Sequence, residues 1–105
     1  MPRTLPQPGV ESINLTSVLS ALADPVRRAM IGAIWSGDEA TDCRTIAERV
    51  DVSPATLSHH WRVIREAGLT TTYVKGRNRI IEVRRADLEE RFPGLLTAVL
   101  DADQS

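Results

Sequence analysis

Apolar side chains recur at helical spacing over the first two thirds of the chain and alternate with polar ones after that. Leu15, Val18, Leu19 and Leu22 share one side of a helix predicted from about Ile13 to Ala23. Asp24-Pro25 ends it and starts another, with an aspartate cap and a proline in the first turn. The second helix continues to about Ser36, burying Val26, Met30, Ile31 and Ile34, with Trp35 completing the stripe and Gly37 as terminator. Gly37 to Thr41 reads as a short acidic loop. A third helix is expected over about Asp42 to Val50 and a fourth over Pro54 to Ala67, stopped by Gly68 in the left-handed conformation.

After Gly68 the period falls to two. Leu69 to Val74 and Arg79 to Arg84 are rich in threonine, valine and isoleucine and flank Lys75-Gly76-Arg77-Asn78, which predicts a β-hairpin with a cationic tip. A last helical region begins near Ala86. Pro93-Gly94 should split it into Asp87–Arg91 and Leu95–Leu100.

The segment Cys43 to Ala67 is the most specific. It holds two short helices with small Ala47 in the first and Asp51 at the bend, where aspartate tolerates a left-handed backbone. Ser53-Pro54 opens the second with a capping oxygen and a proline at the first helical position. Leu57, Trp61 and Ile64 then face inward, leaving Thr56, Ser58, His59, Arg62 and Arg65 outward, all able to reach phosphates or base edges. This pattern is a helix-turn-helix with an exposed reading helix and a β-hairpin wing behind it.

Charge sharpens the picture. The chain of 105 residues has a net charge of −1, yet between Ser53 and Arg85 seven basic residues (Arg62, Arg65, Lys75, Arg77, Arg79, Arg84, Arg85) face two acidic ones (Glu66, Glu82). Positive charge on one contiguous third implies a polarised surface suited to nucleic acid. The length fits one domain over residues 13–101, after a loose proline-rich arm (1–12) and before a short tail (102–105). No apolar run approaches a membrane span or a signal-peptide core, so no membrane partner and a cytoplasmic location are expected. The single cysteine, Cys43, excludes an intrachain disulfide.

LADPVRRAMIGAI, TIAERVDVSPATLSHHWRVIREAGL and KGRNRIIEV together closely resemble ArsR-type winged helix-turn-helix regulators, over roughly Val18 to Val83. The resemblance implies a mainly helical α-α-α-α-β-β-α fold with a small β-hairpin. It also implies a homodimer joined through its first and last helices, and a repressor that leaves its operator on a signal. The family's reading positions fall on Ser53, Thr56, Ser58 and His59, with Arg62 towards phosphates, and its wing positions on Lys75, Arg77 and Arg79. The dimer face is expected to use Leu15, Val18, Leu19 and Leu22 with Leu95, Leu96, Val99 and Leu100. This chain departs from the pattern at Asp51, where glycine is usual, and at Trp61, which replaces leucine and asks for a larger hollow beneath the reading helix.

Chemistry of other kinds finds little support. Metal-sensing members use a cysteine cluster on the third helix or Asp/His/Glu ligands on the last. Here the third helix offers Cys43 alone, and Asp87 to Asp101 has neither histidine nor cysteine. His59 and His60 point about 100° apart on a helix and do not chelate one ion. His60 is expected to be partly buried and satisfied. Ser58 beside His59 is no nucleophile–base pair, so no enzyme and no cofactor are expected. The expected partners are an operator duplex, a second copy of the chain and an unidentified small-molecule effector. The alternative is a winged-helix module for protein–protein or RNA interaction, whose wing would be more apolar than this one.

Overall fold

Four helices begin where the sequence supplies a side-chain oxygen. The computed structural model describes residues 3–36 and 41–102. Helix α1 (Leu15–Leu22) is capped by Asn14, whose Oδ1 accepts from Ser17 N at 2.9 Å. Helix α2 (Pro25–Trp35) is capped by Asp24, which accepts from Val26 N at 2.8 Å and Arg27 N at 3.1 Å. Asp42 caps α3 (Cys43–Ala47) through Arg44 N, and Ser53 caps α4 (Pro54–Glu66) through Thr56 N. Such caps contribute about 1 kcal/mol each by satisfying first-turn N–H groups. Helix α3 is shorter than the predicted Asp42–Val50.

Strands β3 (Thr70–Lys75) and β4 (Asn78–Val83) form the predicted hairpin. Lys75 pairs with Asn78, so only Gly76 and Arg77 turn the chain; Gly76 takes φ +62° and Arg77 does not go positive. That favours a turn matching the strands' right-handed twist. Two strands of two residues each flank the hairpin: β1 (Arg3–Thr4) against β3 and β2 (Thr41–Asp42) against β4, all antiparallel, in the order β1-β3-β4-β2.

The N-terminal segment, expected as a loose arm, is therefore held. Leu5 N donates to Thr72 O at 2.9 Å, Pro6 and Pro8 carbonyls accept from Arg65 and Arg84, and a 3-10 turn (Val10–Ser12) leads to buried Ile13. Asp51 is corrected too: no residue other than glycine has positive φ among the described residues, so the bend uses ordinary backbone. Gly37 and the predicted acidic loop lie outside the described residues except for Thr41.

The core runs through α1, α2, α3, α4 and the sheet, with Val18, Met30, Ile31, Ile46, Ile64, Leu69 and Ile81 sealed from solvent. Helix α5 (Arg85–Arg91) follows the sheet, and the Pro93-Gly94 break, with Gly94 at φ +80°, leads to a π-helical turn (Thr97–Asp101). No described helix is long and apolar enough to cross a membrane.

Candidate nucleic-acid interface

Helix α4 is divided lengthwise. His60, Trp61 and Ile64 are buried and Leu57 is half-buried, while Ala55, Thr56, Ser58, His59, Arg62 and Glu66 are exposed. At about 100° per residue these exposed positions span one arc opposite the apolar one. The arc is the face that the sequence assigned to reading. Pro54 at the first helical position and Ser53 as cap begin it, and the first-turn N–H groups there carry the helix's positive end.

Ser53 is exposed, but its hydroxyl is engaged: it accepts from Thr56 N at 3.2 Å and donates to Thr56 Oγ1 at 2.9 Å. Its first role is to start the helix. Ser58, His59 and Arg62 make no side-chain hydrogen bond with the described residues, so their polar groups face water. His60 is the buried, satisfied histidine that its place in the apolar stripe suggested: Arg27 Nη1 lies 3.3 Å from its Nδ1. Arginine only donates, so in this contact Nδ1 is the acceptor.

Lys75, Arg77 and Arg79 are all exposed on the hairpin. Arg79 comes back beside α4: it lines a cleft of about 350 Å³ together with Ser58, Trp61 and Arg65 of α4 and Cys43 of α3. Two cations counted in the sequence belong elsewhere. Arg84 is 8% exposed, paired with Asp87 at 3.0 Å and donating to Pro8 O at 2.8 Å. Arg85 stacks on Trp35 with its guanidinium carbon 4.0 Å from the ring centroid. Of the seven cations counted between Ser53 and Arg85, the other five, Arg62, Arg65, Lys75, Arg77 and Arg79, lie on α4 and the hairpin.

Arg44 was missed. Its Nη2 donates to Oδ1 of Asn78 at 2.6 Å, which ties the first turn of α3 to the hairpin and adds an exposed cation beside it. Its signal in the sequence, one arginine after an N-cap, is weak; only the pairing of β2 with β4 brings it there.

Cys43 is half-buried, and its thiol is pushed up to about 11, mainly by burial, with repulsion from Asp42 added and attraction from Arg79 opposing. A thiol so protonated is a poor nucleophile and a poor ligand at neutral pH. Among the described residues no group of three or more His, Cys, Asp or Glu side chains converges.

The dimer expectation narrows. Val18, Leu22, Leu96 and Leu100 are sealed in this protomer's own core and have no surface to offer a partner. Leu15 and Leu19 are 46% and 45% exposed, the large apolar side chains left in solvent among the described residues. Leu19 and half-buried Val99 line one open groove between α1, α2 and the C-terminal turn, and Leu95 is half-buried nearby in sequence.

A family described as a helix-turn-helix domain matches residues 22–73. The uncharacterized HTH-type transcriptional regulator YceK of Bacillus subtilis (strain 168) is 29% identical over 79 residues, covering 75% of this chain and 79% of YceK. The transcriptional repressor SdpR of the same organism is 24% identical over 89 residues, covering 85% of this chain and 97% of SdpR. A crystal structure of an ArsR family transcriptional regulator superposes with a TM-score of 0.67 at 23% identity, covering 87% of this chain and 97% of that one. At that identity the likeness speaks for the fold.

Proposed function

We propose, from the helix-turn-helix match over residues 22–73, the regulator relatives and the winged fold of the ArsR type, that the chain is a helix-turn-helix transcriptional regulator, a homodimeric repressor reading a specific operator. DNA-binding control of transcription, not catalysis, is the activity of this family. The observation that carries the finer reading is the split of α4 into a sealed apolar arc and an exposed polar one beside a cationic hairpin.

In this reading Thr56, Ser58 and His59 enter the major groove, with Ser53 setting the helix's first turn against it. Arg62 and the positive end of α4 neutralise phosphates. Lys75, Arg77 and Arg79 hold the flanking backbone or adjacent minor groove. Leu15 and Leu19, with Leu95 and Val99, meet their equivalents in a second protomer. A two-fold dimer then presents reading helices about 34 Å apart, one turn of DNA. The relative SdpR is a transcriptional repressor, which supports repression over activation. The protonated Cys43 supports a signal other than metal or thiol oxidation.

The test is a gel shift and footprint on the DNA upstream of the protein's own gene, against excess random duplex. A protected site with two related halves about one helical turn apart is expected. Equal retention by random duplex would overturn operator reading.

A further inference from the structure

The cleft between α4, the start of α3 and the sheet is unlike the other grooves of the fold. Its floor is apolar, from Leu57, Trp61 and Ile81, and two arginines of different elements, Arg65 and Arg79, stand in its wall. Arg65 donates through Nε to Pro6 O at 3.2 Å, and neither arginine has a carboxylate partner among the described residues. Trp61 is 8% exposed, so it lines the cleft with little of its surface, and its Nε1–H is buried without a hydrogen-bond partner among the described residues. The volume, about 350 Å³, lies within the range of about 300–1,000 Å³ that holds small ligands. The groove at Leu19 and Val99, by contrast, is open and lies on the face proposed for the second protomer.

We propose that this cleft binds a small apolar carboxylate, its body against Leu57, Trp61 and Ile81 and its anionic group between Arg65 and Arg79. Ser58 and Arg79 also face the duplex in the DNA-binding reading, on which this second step rests, so ligand and operator exclude one another. Release is then direct competition for two side chains and needs no movement relayed from the dimer face. Trp61, where the family has leucine, adds to the apolar lining of this cleft.

The experiment titrates the intact protein, without DNA, with phenylacetate, benzoate and octanoate, with inorganic phosphate as the anion lacking an apolar body. The readout is the two indole N–H resonances, Trp61 in the cleft and Trp35 outside it. A saturable shift of Trp61 by at least one carboxylate, with Trp35 unmoved, is expected at millimolar concentrations. Arg79→Ala should weaken it about tenfold or more, while Arg49→Ala, an exposed arginine outside the cleft, should leave it unchanged. No saturable shift with any carboxylate, an equal response to phosphate, or full binding in both Arg65→Ala and Arg79→Ala would overturn the site. A gel shift with the bound carboxylate then tests exclusion; duplex bound equally well with the cleft filled overturns that step alone. Because the titration contains no DNA, failure of the operator reading leaves its outcome intact.

Discussion

Arg27 on α2 places Nη1 3.3 Å from Nδ1 of His60 on α4, while its Nε and Nη2 donate to the carbonyls of Ala21 (2.8 Å) and Ser20 (3.1 Å) at the end of α1. One planar guanidinium thus joins α1, which carries Leu15 and Leu19, to α4. Arg27→Ala should destabilise the fold by about 2–3 kcal/mol, since two carbonyls and a buried imidazole lose their donor together. Arg27→Lys should recover little of it, because an ammonium is a point charge without the fork. Urea unfolding decides this; a loss well under 1 kcal/mol would show that the three bonds are replaced by water.

Much of this arrangement was legible because local rules and tertiary packing agree. The caps at Asp24 and Ser53, the stop at Gly68 (φ +90°) and the Pro93-Gly94 break each fall where residue chemistry put them. The two-residue strands were not legible, since a pair such as Thr41-Asp42 carries no period and becomes a strand only beside β4. Nor could periodicity divide α1. Leu15, Val18, Leu19 and Leu22 lie within about 100° of arc, yet burial splits them into two core and two exposed positions. Arg84 and Arg85 misled the charge argument for the same reason: sequence counts a cation without showing the carbonyl, carboxylate or ring that holds it.

The two halves of the proposed DNA surface should fail differently. Arg77→Ala at the hairpin turn should weaken binding to every duplex alike and reduce the salt slope by about one unit. Ser58→Ala, on the exposed arc of α4, should instead relax preference at particular operator bases. Affinities measured across a salt series on operator and scrambled duplexes separate the two. An unchanged slope removes Arg77 from phosphate contact, and a uniform loss removes Ser58 from base reading.

Leu19→Glu should abolish the proposed dimerisation without unfolding the protomer, because the side chain is 45% exposed and contributes little to the core. A charge brought into an apolar interface from both subunits pays desolvation twice and repels its equivalent. Sedimentation should give a dimer for the native chain and a monomer for the variant, with native-like thermal unfolding of the latter. A variant that still sediments as a dimer would place the contact elsewhere.

Gly68 closes α4 against Ile13. A Cβ there would stand 2.6 Å from Ile13 Cγ1, and Ile13, 1% exposed, has nowhere to move. Gly68→Ala therefore combines an unfavourable backbone conformation with overpacking and should cost roughly 2–4 kcal/mol. Ile13→Ala removes the clash but opens a cavity, so the double variant should be less unstable than the two single losses added together. Simple additivity in chemical unfolding would mean the backbone conformation alone sets the cost.

Cys43 makes the fold sensitive to alkali. Its thiol is raised from 9.0 to about 11, chiefly by burial, so between those values the folded chain keeps a proton that the unfolded chain has lost. The unfolded state binds fewer protons there, so stability falls as pH rises from 9 towards 11 and this contribution levels off beyond it. Cys43→Ala should remove that part of the decline, visible as a smaller alkaline shift of the urea midpoint. Alkylation of the native protein by iodoacetamide should rise along the same profile, half-maximal near 11. A profile centred on 9 would mean that water reaches the sulfur freely, against the half-buried position that the structure gives it.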